Sequence, residues 1–218
     1  MRKRDMRVIR VLCSPLAVLL VFAGATPAIG GEMWSWHTFD FAVVKNARFD
    51  WTLHTRFRTR EGALQQGRSG AIGRFQVHPR LSLIAGYYYG REEIREEWRD
   101  FHRPFGGLEV GVFKRGAAAL AARTMTERFL SGKRADFTRF RHRLRLSTDL
   151  RLGPFASTEW FFDRSGYLSA RYSAGARWRF FRGGAVELGY LYDARAARVG
   201  GPRHGVVTQL YLERSQKR

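Results

Sequence analysis

The residues best equipped for chemistry in this chain are its arginines, and their spacing has a period of two. Arg139, Arg141, Arg143 and Arg145 occupy every second position of the stretch 137–152, FTRFRHRLRLSTDLRL. Arg56, Arg58, Arg74, Arg123, Arg171, Arg177 and Arg179 fall on the polar side of similar alternations. Glu109, Glu127, Glu159 and Glu187 do the same. Guanidinium and carboxylate groups on one enclosed face satisfy each other as ion pairs. Where arginine is in surplus, the face attracts anions.

Other chemistries find less support. The six histidines, His37, His54, His78, His102, His142 and His204, are scattered, and His142 falls on an apolar face. A barrel-embedded lipid hydrolase needs serine and histidine within reach of each other. Ser157, Ser169 and Ser173 are on a polar face, but no local motif pairs one with a histidine. No cluster has metal-ligand spacing, and no glycine fingerprint for a nucleotide is present. The expectation is therefore no enzyme, no cofactor and no metal.

The element that must position the arginines is a strand. A helix would set Arg139 beside Arg143 and Arg141 beside Arg145 at i,i+4, where like charges repel. It would also leave no apolar stripe. As a strand, 137–152 puts Phe140, Leu144, Leu146, Leu150 and Leu152 opposite the arginines. At ~3.3 Å per residue it runs roughly 50 Å, far beyond the ~5–6 residues usual in globular sheets. Such a strand belongs to a large curled soluble sheet or to a transmembrane barrel.

The first thirty residues read as an export signal. Arg2, Lys3, Arg4, Arg7 and Arg10 precede an apolar run over 11–25, and small residues follow at Ala28 and Gly30. The run is shorter than the ~20 residues that span a bilayer. Two regions follow, a signal peptide over 1–30 and a barrel over 31–218. Cys13 lies in the signal, so the mature chain has no cysteine and no disulfide. The charge falls from +20 to about +16, with 34 Lys/Arg left against 18 Asp/Glu. A basic chain invites a nucleic-acid reading, but an exported one rarely meets nucleic acid, and these arginines alternate along strands. No nucleic-acid partner is expected.

Beyond residue 31 no stretch is apolar enough for a membrane helix. Eleven alternating stretches appear, over 33–43, 49–60, 72–78, 81–90, 105–113, 117–130, 137–152, 155–162, 167–180, 185–192 and 204–213. The 117–130 stretch is the least decided, because 117–122 is alanine-rich enough for a helix. Short connections (45–48, 79–80, 114–116, 153–154, 181–184) alternate with longer ones (61–71, 91–104, 131–136, 163–166, 193–203), as in outer-membrane barrels. Trp34, Trp36, Tyr87, Tyr89, Trp178, Tyr190 and Tyr192 gather near strand ends, as interfacial girdles do. Bacterial single-chain barrels usually have even strand numbers, so twelve strands are expected, with ten the second choice.

From residue 105 on, the order of elements resembles domain-of-unknown-function family 2490. The carrying residues are RTMTERF at 123–129, RFRHRLRL at 139–146, ASTEWFF at 156–162 and ELGYLY at 187–192, followed by His204. The resemblance implies an outer-membrane β-barrel and brings no catalytic residues with it. One departure concerns the C-terminus. Barrels of this kind usually end on an aromatic that the insertion machinery reads, whereas Tyr211 is followed by LERSQKR.

The expected fold is all-β, an antiparallel up-and-down transmembrane barrel behind a cleaved signal peptide. Its lumen would be lined by the arginines and glutamates named above, and the seven aromatics would mark the membrane interfaces. The expected location is the bacterial outer membrane, with membrane lipid and the insertion machinery as partners. The expected role is structural, or a porin-like passive anion-favouring pore, partly plugged. The alternatives are a soluble periplasmic barrel holding an apolar or acidic ligand, and the embedded hydrolase.

Overall fold

Residues 32–94, 96–131 and 134–214 are described by a computed structural model, with backbone alone at 134 and 135. The expected signal peptide lies outside the described residues. Eleven strands follow one another: β1 (Glu32–Lys45), β2 (Phe49–Arg60), β3 (Ala63–His78), β4 (Leu81–Ile94), β5 (Glu97–Arg115), β6 (Ala118–Ser131), β7 (Arg134–Thr148), β8 (Leu152–Asp163), β9 (Gly166–Phe181), β10 (Gly184–Arg195) and β11 (Arg203–Glu213). No α-helix occurs among the described residues; a single 3-10 turn, Ala197–Val199, lies between β10 and β11. The alanine-rich 118–122 is strand throughout, opposite 144–148 of β7.

Each strand pairs antiparallel with its sequence neighbours. The sheet closes where β1 meets β11 in parallel, with Ser35 opposite Val206 and Phe39 opposite Leu210. The expectation of twelve strands, or ten, is therefore corrected to eleven. An odd count closes because parallel strands also satisfy each other's backbone groups, so no edge is left open. At ~4.8 Å between strands and a tilt of ~40°, eleven strands give a backbone diameter of about 22 Å.

The predicted alternation of short and long connections is also corrected. Turns at 46–48, 79–80, 116–117, 149–151 and 182–183 occupy one end, the turn end. The opposite, loop end carries a two-residue hairpin at 61–62, another at 164–165, and the longer 196–202. Most of 61–71 and 91–104 is strand. At 61–62 both Glu61 (φ 52°) and Gly62 (φ 87°) are left-handed, as a twisted two-residue hairpin requires. Between β4 and β5 the charged residues pair across the ladder, Arg91 with Asp100 and Glu92 with Arg99. These extensions lack apolar alternation, so composition alone reads as loop. With eleven strands, β1 begins at the loop end and β11 finishes at the turn end.

Alternation divides every strand between two environments. Outward residues include Phe39, Leu53, Phe75, Leu83, Leu108, Leu144, Trp178, Leu188 and Val206, each at least 39% exposed. Inward residues include most of the charged side chains and a set of rings. Ile84, Tyr88, Phe105 and Met125 form one apolar cluster inside the wall, packed on Ile72. Trp34, Trp36 and Leu191 form another, packed on Val207 beside the seam.

Candidate functional site

The barrel interior holds the chemistry. On β7 the inward arginines stand two residues apart, so the row Arg139–Arg141–Arg143–Arg145 runs down one wall and meets carboxylates from β6 and β8. Arg139 donates to Glu127 through Nε at 2.8 Å and through Nη2. Arg141 bridges Glu127 and Glu159. Arg171 on β9 bridges Glu159 at 3.4 Å and Asp193 at 3.3 Å. The result is one continuous network, Arg139–Glu127–Arg141–Glu159–Arg171–Asp193. Its carboxylates are enclosed, Glu127 at 1% exposure, Asp193 at 4% and Glu159 at 7%. Glu127 and Glu159 are each shared between guanidinium groups and Asp193 ends the chain on Arg171, and this pairing offsets the desolvation that burial imposes.

Toward the turn end the same alternation continues. Glu109 accepts from Arg123 Nε at 2.7 Å and Arg74 at 2.8 Å, with Arg143 at 3.6 Å. Glu187 accepts from Arg145 at 2.6 Å, and Arg177 lies 3.9 Å away. Arg179 reaches out of the barrel mouth to Asp149 in the 149–151 turn, and that bond holds the exposed Asp149 carboxyl below its usual range. A hollow of about 260 Å³ opens at this end, lined in part by Asp50, Arg74, Gln76 and Glu109.

Rings form the other half of the interior. Arg58 lies 4.1 Å over Trp36, Arg171 4.4 Å over the same ring, and Arg203 4.2 Å over Trp34. Arg68 and Arg103 stack on Tyr88 at 4.4 and 4.8 Å. Arg139 stacks on Phe129 and Arg145 on Phe155. Cation–π contact is strongest where water is excluded.

The fifteen side chains predicted to line the lumen are all on the inward parity of their strands. Of these, Arg56 and Arg58 differ from the rest: neither forms an ion pair with a described residue, and Arg56 Nε donates to Thr38 at 3.0 Å. The interface aromatics divide. Tyr87, Tyr89, Trp178, Tyr190 and Tyr192 point outward. Tyr87 bonds to His102 and Tyr190 to His204. Trp34 and Trp36 were expected at an interface and instead lie inside, at 7% and 4% exposure. They share the parity of Asp40, whereas Phe39 and Phe41 hold the outward parity, and the interior arginines need their faces as platforms.

Sequence reasoning missed Arg68 and Arg103, which fall in stretches read as loops, and the stacking rings around them. The usable signal was Phe101–Arg103–Phe105, an aromatic–arginine alternation of its own. It also missed a buried relay. Asp40 accepts from His54 Nδ1 at 2.7 Å, and Arg68 Nη2 donates to His54 Nε2 at 3.3 Å. Arginine is a donor only, so His54 is neutral with its proton on Nδ1. Its Nε2 faces a guanidinium. Ser157 and Ser173, the inward serines weighed for a hydrolase, bond to each other at 2.8 Å. His142 points outward and bonds to Thr124 at 3.1 Å. Among the described residues no three His, Cys, Asp or Glu side chains are grouped to hold a metal.

No curated protein matches the chain. A family does: residues 31–200 match the proteins of unknown function called DUF2490. With that match covering most of its length, the chain belongs to the DUF2490 family.

Proposed function

We propose that this protein is an outer-membrane β-barrel whose arginine-rich, largely side-chain-filled interior favours anions, with a structural or passive-transport role. One observation carries the reading. Charge and apolarity are distributed inside out relative to a soluble barrel. The ion-pair network is enclosed, while Phe39, Leu53, Leu83, Leu108, Leu144 and Leu188 circle the outside at 39–58% exposure. Monomeric soluble proteins rarely expose a contiguous apolar patch above a few hundred Å². In a bilayer the same belt costs nothing, and closure satisfies every backbone group.

Outward tyrosines and Trp178 toward the two ends fit interfacial girdles. The basic start of the chain and its apolar run support export, and insertion would then require the barrel machinery. The enclosed network Arg139–Glu127–Arg141–Glu159–Arg171–Asp193 argues for a narrow or plugged lumen. The same outer belt speaks against a soluble periplasmic barrel.

The test is fractionation of expressing cells, followed by planar-bilayer recording of the purified barrel. Recovery with outer-membrane fragments and a reversal potential favouring anions supports the whole reading. An intact barrel without conductance leaves the structural role. Recovery in the soluble periplasm rejects the reading.

A further inference from the structure

We propose that the loop-end half of the interior is a binding site for a phosphate dianion, formed by Arg56, Arg58, Arg68 and Arg103. This deepens the anion-favouring reading of the lumen and rests on it. The interior charges are unevenly satisfied. On the wall from β5 to β10 Glu109, Glu127, Glu159 and Glu187 are each shared between arginines, and Asp193 pairs with Arg171. On the β2–β3 wall and at Arg103, none of the four arginines forms an ion pair with a described residue. The nearest inward carboxylate on β1 is already engaged: Asp40 accepts from His54 and, through Oδ2, from Gln209 at 2.5 Å.

The four groups are close together. Arg56 is the cross-strand partner of Arg68. Arg56 and Arg58 both lie over Trp36, and Arg68 and Arg103 both lie over Tyr88. Arg68 is 6% exposed and Arg103 3%. Most of the unmatched atoms are donors: Arg58 Nε, Arg68 Nε, Arg103 Nε and Nη2, and Trp36 Nε1. Glu127, with Oε1 unmatched, lies diagonally across from Arg103 and attracts it, so the unbalanced charge sits on Arg56, Arg58 and Arg68. The amide oxygen Gln66 Oε1 is unmatched there too, but a neutral amide cannot offset these cations. Enclosed donors without acceptors cost free energy, and so do unpaired buried charges. An acceptor carrying two negative charges on several oxygens resolves both. A guanidinium stacked on a ring keeps its N–H edge for an anion in its own plane, and the arginine fork matches phosphate. The phosphate is that of a soluble compound or of a lipid headgroup, and the two arms of the experiment distinguish these sources.

The experiment uses the whole barrel folded in detergent. Inorganic phosphate is titrated calorimetrically in one arm and phosphatidic acid in the micelle in the other, and the ligand-free melting temperature is read for every variant. Binding in either arm that weakens about tenfold in Arg58→Gln and in Arg103→Gln supports the site, and the arm that responds identifies the source. The ligand-free barrel is expected to melt at the same or a higher temperature in Arg58→Gln, because that change removes a charge with no nearby carboxylate. A purely structural arginine would lower it. Arg115→Gln, at the turn end, is expected to bind as the parent does. The site is overturned if neither probe binds, if Arg115→Gln weakens binding equally, or if binding is unchanged in the two lumen variants. Binding is read without conductance, so a barrel that conducts but binds nothing rejects the site alone, and a soluble protein that binds rejects only the membrane reading.

Discussion

Glu127 on β6 and Arg139 on β7 face each other inside the barrel, and the carboxylate takes both Nε and Nη2 of the guanidinium. Glu127 also neutralises Arg141, which links it to Glu159. Removing a single partner from such an enclosed set leaves an uncompensated charge, at a cost of about 3–5 kcal/mol. Glu127→Gln is therefore expected to lower the urea midpoint of the lipid-folded barrel strongly. Adding Arg139→Met should recover a large part of that loss. Strictly additive losses in the double variant would show that the two groups are not coupled.

The parallel seam gives a second prediction. Ser35 and Val206 are register partners across β1 and β11. Neighbouring strands bring Cα atoms within the 4.4–6.8 Å that a disulfide spans. With Cys13 replaced, Ser35→Cys with Val206→Cys should cross-link on oxidation and yield a band that migrates differently until reduced. Ser35→Cys with Gly205→Cys points one side chain out and one in, and should not. A twelve-stranded barrel would reverse the direction of the last strand and abolish the Ser35–Val206 bond.

Much of this fold is legible in the sequence, and the failures have a common physical origin. The alternation of Leu144 with Arg143 and Arg145 marks a strand because its two faces meet different surroundings. Where a strand extends past the apolar belt its outward residues turn polar, as Asp100 and His102 do beside the enclosed Phe101 and Arg103, and the apolar-out alternation disappears. That is why Arg91 to Pro104 reads as a loop although it forms the paired ends of β4 and β5. Arg68 and Arg103 were lost with those stretches. Trp34 and Trp36 failed for a different reason. Proximity to a strand end suggested an interface, but parity with Asp40 governs direction, and parity was the stronger signal. The strand count of eleven stands in the sequence itself. Only the preference for even numbers, which presumes an antiparallel closure, moved it to twelve.

The outer belt predicts a cost that depends on the surroundings. Leu108 lies mid-strand on β5 and is 44% exposed. In a bilayer, Leu108→Arg should destabilise the barrel by about 2–4 kcal/mol, as charge at the midplane does. On a water-facing surface the same change would stay within roughly 0.5 kcal/mol. Urea unfolding in lipid vesicles distinguishes the two, with Arg115→Ala at the turn end as a reference expected to change little.

The longest connection is tied down at the loop end by one acid. Asp163 accepts from the backbone N–H of Ser165 at 2.8 Å, from its hydroxyl at 2.6 Å and from Arg198 at 3.2 Å. Arg198 also donates to the carbonyls of Gly166 and Tyr167, so the 196–202 segment is held to the β8–β9 hairpin. The Ser165 hydroxyl, followed by Arg198, holds the Asp163 carboxyl below its usual range. A depressed folded value means that the tether contributes fully above the free aspartate value of ~3.9. That contribution is lost as pH falls through the lower folded value. The Asp163 carboxyl carbon should therefore titrate below ~3.9 by NMR, and its midpoint should rise in Arg198→Ala. Ser165→Ala should raise it further, because the hydroxyl bond is the larger cause. A midpoint that Arg198→Ala leaves in place would mean that the arginine does not hold the loop.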